Sequence, residues 1–139
     1  MVFLLALSLV SFQSVERLRD VKAVYVDSLG TSEEAQLIRE KLINALLETK
    51  KLQITERRED ADAILSGKAS MGKVEGGTLY RYDVGYSATV ALRLVSPSKR
   101  VIWTINTESK GRGSASTTVS ERAIKELLKA IEKDLKAKD

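Results

Sequence analysis

The most regular pattern in the chain is an alternation over residues 84–94. Val84, Tyr86, Ala88, Val90, Leu92 and Leu94 fall on one side of an extended backbone, against Gly85, Ser87, Thr89, Ala91 and Arg93 on the other. That predicts a half-buried strand. Ser96-Pro97-Ser98-Lys99 ends it, with Pro97 fixing φ for a turn. Over residues 100–108 a second run puts Val101, Trp103 and Ile105 on one face, so the two runs predict an antiparallel hairpin with those three side chains toward the core.

Upstream, Val21-Lys22-Ala23-Val24-Tyr25-Val26 is short, β-branched and apolar at nearly every position, which suits a strand covered on both faces. Asp27-Ser28-Leu29-Gly30 breaks it. Thr31 with Glu34 three residues on predicts a capping box, and Ala35, Ile38, Leu42, Ala45 and Leu46 make the apolar stripe of a helix reaching about Thr49. Residues 52–55 alternate as a second strand. The charged cluster 56–60 is a turn, and residues 61–67 form a third strand extending toward Val74, before a loop at 75–78. The polar stretch 109–116 predicts a connection, and Thr118 with Glu121 a second capping box. Ile124, Leu127, Leu128, Ile131 and Leu135 then form a stripe toward the C-terminus, flanked by Glu121–Lys125 and Glu132–Lys136 pairs. The order is β-α-β-β-β-β-α, with one strand fewer if the third is broken. It predicts a single α/β (α+β) domain over residues 15–139: a mixed sheet of four to five strands with two amphipathic helices on one face.

The first fourteen residues, MVFLLALSLVSFQS, carry no charge. The apolar run over residues 2–10 has the length of a signal-peptide h-region and falls far short of the ~20 residues that span a bilayer. Ser8, Ser11 and Ser14 follow it, and Ala6-Leu7-Ser8 is a small-x-small cleavage pattern, although a cationic n-region is missing. The expectation is a signal peptide at residues 1–14 and a periplasmic or secreted protein. A first strand in that place would instead leave the protein cytoplasmic. The lack of cysteine leaves no lipobox residue, so the mature form is expected to carry no lipid there and no integral membrane span.

Composition narrows the chemistry. The 139 residues include no cysteine and no histidine, which excludes zinc fingers, thiolate nucleophiles, disulfides, His-based triads and an imidazole base. The net charge of +4 is modest. Two segments could receive an anion. Asp27, Ser28, Gly30, Thr31 and Ser32 lie between a strand and a helix start, where open α/β sheets bind ligands, although the residues equally serve a turn and a cap. Lys110, Arg112 and Ser114, with Gly111 and Gly113, could form a nest before the last helix, or a solvated connection.

The densest carboxylates, Glu33/Glu34 and Glu59/Asp60/Asp62, read as a helix's first turn and a polar turn rather than an acid–base pair. On the last helix Arg122, Lys125, Lys129, Lys133, Lys136 and Lys138 interleave with Glu126, Glu132 and Asp134, an ordinary solvated face. Trp103 shares its face with apolar neighbours rather than standing on a base-stacking platform, so no nucleic acid is expected. No cofactor and no metal site is expected either.

The strand–helix–strand opening, the segment Ala61-Asp62-Ala63-Ile64-Leu65-Ser66-Gly67, the later Arg100-Val101-Ile102-Trp103 and the lysine-rich closing helix resemble a group of bacterial envelope domains. The group includes the N-terminal domain of the Tol-Pal translocation protein, the curli-secretion channel subunit and the lipoprotein activators of penicillin-binding proteins. The resemblance covers residues 21–138 and implies a non-catalytic α/β module that binds another envelope protein. It carries over no catalytic residues, no lipid anchor and no pore-forming hairpins. The alternatives are a small ligand-binding protein or hydrolase using Asp27 and the 109–116 segment, and a weak nucleic-acid binder.

Overall fold

The computed structural model describes residues 17–74, 85–111 and 115–137. Residues 1–14, Val84 and the 75–78 loop lie outside them. A 3-10 turn at Leu18–Asp20 leads into β1 (Ala23–Val26), α1 (Glu33–Thr49), β2 (Gln53–Ile54), a second 3-10 turn at Arg58–Asp60, β3 (Ala63–Val74), β4 (Gly85–Val95), β5 (Val101–Gly111) and α2 (Ala115–Lys136). The five strands form one mixed sheet in the order β2-β1-β3-β4-β5. β1 runs parallel to β2 and β3, and the other neighbours are antiparallel. The expected element order stands.

Both helices cover one face. Ile38, Leu42 and Leu46 of α1 and Val119, Ile124 and Leu127 of α2 join Val24, Val26, Leu65, Val90, Leu92 and Leu94 of the sheet in one buried cluster. Where α1 meets α2, Ser120 is fully buried and donates its hydroxyl to the Ser116 carbonyl at 2.7 Å. A larger residue there would force the helices apart.

Several local expectations are corrected. The cap of α1 is Ser32, not Thr31: Ser32 has an extended backbone and its Oγ accepts the Ala35 N–H at 3.0 Å. Residue 35 is an alanine, so no reciprocal capping box forms. The second expected box is also displaced. Thr118 lies inside α2, which starts at Ala115, so the supposed connection 109–116 is mostly the end of β5 and the first turn of α2. Glu132 pairs with Lys51 at 3.2 Å rather than with Lys136.

Val101 is the most instructive correction. Leu94 pairs with Trp103 but Val95 pairs with Val101, so Ile102 is an extra residue, a β-bulge. One inserted residue reverses the side-chain alternation. Trp103 and Ile105 pack half-buried against the core, while Val101 turns to the sheet's other face and is 50% exposed. The hairpin turn itself follows expectation. The Lys99 N–H bonds the Ser96 carbonyl at 2.8 Å, and the buried Ser96 hydroxyl accepts the Arg100 N–H at 3.1 Å.

Candidate functional site

The residues singled out in the sequence fall into two groups that the fold keeps apart. Asp27 follows β1 and its N–H bonds the Leu65 carbonyl at 2.9 Å. Its Oδ1 accepts the Ser28 N–H at 2.9 Å, and its Oδ2 accepts Arg58 Nη2 at 2.5 Å. Hydrogen bonding and charge from Asp27 hold the Arg58 guanidinium above its ordinary pKa, and Arg58 also lies over the Tyr25 ring at 5.8 Å. Ser28 spends its hydroxyl on Gly30, donating to its carbonyl at 3.2 Å, while Thr31 is exposed.

Of the second group, Lys110 lies exposed in β5, 3.9 Å from Glu108, while Arg112 and Ser114 are outside the described residues. Leu29 runs beside β3, its carbonyl accepting the Ala69 N–H at 3.2 Å. Three strand spacings, about 14 Å, separate that line from β5. Asp27, Ser28 and Thr31 therefore do not converge with Lys110.

The segment that carried the family resemblance turns out to serve the fold. Asp62 Oδ2 accepts the N–H groups of Lys22 and Ala23, both at 2.9 Å, at the start of β1. Gly67 has φ +148°, and a Cβ there would stand 1.9 Å from the Ala91 carbonyl oxygen of β4. Only glycine fits so close an approach.

A different surface has the makings of a site. Ser96 N–H bonds the Arg100 carbonyl at 2.8 Å, so the backbone groups of Ser96 face β5, and with them those of Leu94, Leu92 and Val90 at every second residue. Their partners Trp103, Ile105 and Thr107 face back. Thr104, Asn106 and Glu108 consequently point their N–H and C=O groups away from the sheet, at its outer edge. One of these outward groups is covered: Arg122 of α2 donates Nη1 to the Glu108 carbonyl at 2.6 Å.

Along this edge runs a groove between β5 and the C-terminal half of α2. Its lower part, about 840 Å³, lies between Arg17–Arg19, Arg100–Ile102 and the end of α2, where Asp134 accepts the Arg19 N–H at 2.9 Å. Its upper part, about 300 Å³, has Trp103, Ile105 and Ala130 as its apolar lining. Ala130 and Lys133 line both parts, so the two adjoin. The walls carry five cations, Arg17, Arg19, Arg100, Lys129 and Lys133, against the carboxylates of Glu126 and Asp134. The sequence reading took Lys129 and Lys133 for part of a solvated face. Their four-residue spacing does put them on one flank of the helix, but only the packing shows that β5 lies below that flank.

No protein-family model matches this sequence, and no curated protein does. Solved structures do resemble the fold. PelC from Paraburkholderia phytofirmans, a dodecamer, superposes with a TM-score of 0.57 at 20% identity over 76% of this chain and 87% of that one. A single-substitution variant of it, also a dodecamer, gives 0.60 at 18% identity, over 83% of this chain and 93% of that one. A minor lipoprotein from Acinetobacter baumannii gives 0.51 at 13% identity, covering 81% and 93%. The fold is thus shared with PelC and a bacterial lipoprotein at low identity. No described helix is long and apolar enough to cross a membrane.

Proposed function

We propose that this chain is a non-catalytic interaction module of the bacterial cell envelope, periplasmic or secreted, that binds another envelope protein. The observation that carries the reading is the outward-facing backbone of β5 beside an apolar-floored groove. Unpaired strand edges are templates for pairing, and soluble proteins normally blunt them with proline, a bulge or a cover. Here the described blunting is confined to the bulge at Ile102 and the Arg122 contact. The shared fold with a bacterial lipoprotein and the uncharged apolar N-terminus support the envelope setting.

The setting is tested by fusing alkaline phosphatase, active only after export, to the end of the chain expressed from its own chromosomal position. Active phosphatase is expected. Uncleaved, inactive fusion in the cytoplasm removes the envelope reading. A second reading, assembly of copies of this chain, is favoured by the dodecameric state of the two PelC structures. Sedimentation of the purified chain across a concentration series tests it.

A further inference from the structure

We infer that the β5 edge and its groove take an extended, acidic peptide segment of a partner protein, added as a sixth strand beside β5. The inference rests on the interaction reading above and specifies its ligand.

Three features select this occupant. The first is hydrogen bonding. Thr104 and Asn106 each present an outward N–H and C=O, a spacing that the backbone of another extended strand satisfies. The Arg122 contact covers Glu108 and so limits the register to the stretch below it. The second is side-chain alternation. A strand added at this edge sends every second residue to the helix-covered side, where Trp103 and Ile105 lie half-buried with Ala130 opposite. Apolar residues at alternate positions fit there. The third is charge: Arg17, Arg19, Lys129 and Lys133 stand on the groove walls against two carboxylates, Asp134 and Glu126, the latter 3.6 Å from Lys129, so the walls stay cationic. Acidic residues in the added segment would meet Lys129 and Lys133 at the rim. A second copy docked β5 to β5 would instead bring a second cationic rim against the first, a like-charge contact.

Trp103 is the chain's single tryptophan and reports on the groove directly. The full chain is titrated with a short capped peptide that alternates valine with glutamate, and with its valine–lysine counterpart. Binding of the acidic peptide is expected to shift Trp103 emission to the blue and to protect the Thr104 and Asn106 amides from hydrogen exchange. The lysine peptide should bind about tenfold or more weaker at low salt. Asn106→Pro removes an outward N–H without breaking a ladder bond, and should abolish both signals. If that variant does not fold, the double reversal Lys129→Glu with Lys133→Glu decides, since it should reverse the preference between the peptides.

Equal binding of the two peptides, no binding of either, or protection away from β5 overturns the inference. So does a concentration-dependent self-association that protects Thr104 and Asn106 without peptide, which would assign the edge to a second copy. None of these results depends on export, so the envelope reading stands or falls separately.

Discussion

Asp62 holds Ala23 in place: its carboxylate accepts the Ala23 N–H at 2.9 Å, and the same oxygen accepts the N–H of Lys22. β1 therefore starts where the chain returning from β2 clamps it. The chain makes that return by way of Arg58–Asp60, and Arg58 lies over the Tyr25 ring on the side of β1 away from the helices. Replacing Asp62 with alanine removes the acceptor for two backbone donors. The expected loss is about 1–3 kcal/mol of stability, read as a lower urea midpoint with an unchanged slope.

Gly67 should tolerate no side chain. Gly67→Ala combines a positive φ with a Cβ driven into the Ala91 carbonyl, and should destabilise by about 3 kcal/mol or more. Gly72 is the internal control, because its nearest neighbour to an added Cβ is the Ser87 hydroxyl at 3.5 Å. Gly72→Ala should move the thermal midpoint little. Equal losses at both positions would show that the close approach at Gly67 is not what the residue is there for.

The two hydroxyls before α1 should behave differently. Ser32→Ala removes the oxygen that accepts the Ala35 N–H and should cost about 1 kcal/mol. Thr31→Ala touches an exposed residue outside the cap and should stay within about 0.5 kcal/mol of the parent. Denaturant melts of the two variants side by side provide the comparison.

Ser96 anchors the β4–β5 turn from inside. Its buried hydroxyl accepts the Arg100 N–H at 3.1 Å and lies 2.9 Å from the Ser98 hydroxyl. Ser96→Ala should lower stability by about 1–2 kcal/mol. It should also speed hydrogen exchange at the Arg100 amide while leaving β1 protected.

Much of the fold was legible because it rests on local pattern. The α1 stripe and the alternation along β4 name the residues that are buried, Ile38, Leu42, Leu46, Ala88, Val90, Leu92 and Leu94 among them. What was not legible depends on contacts between distant parts. Ser116 read as the end of a polar connection, yet it is buried on α2, as is Ser120, whose hydroxyl lies 3.5 Å from the Ile38 carbonyl of α1. Val101 read as a face-mate of Trp103, and only the pairing with β4 shows the extra residue between them. The candidate site was missed for the same reason. Arg17, Arg100 and Lys133 are far apart in sequence and share a groove only because the first turn, the hairpin and the last helix end together.

The two margins of the sheet are unequal. β2 contributes two residues at one side, and β5 contributes eleven at the other. Beyond Leu65 the margin on the β2 side passes to β3, whose residues 66–74 have no strand partner there among the described residues and take the Leu29 contact at Ala69. A second copy paired through its own β5 encloses both long strands in a closed couple, whereas a partner peptide paired there presents its own outer edge in turn. Any assembly larger than that couple would draw on another surface of the chain.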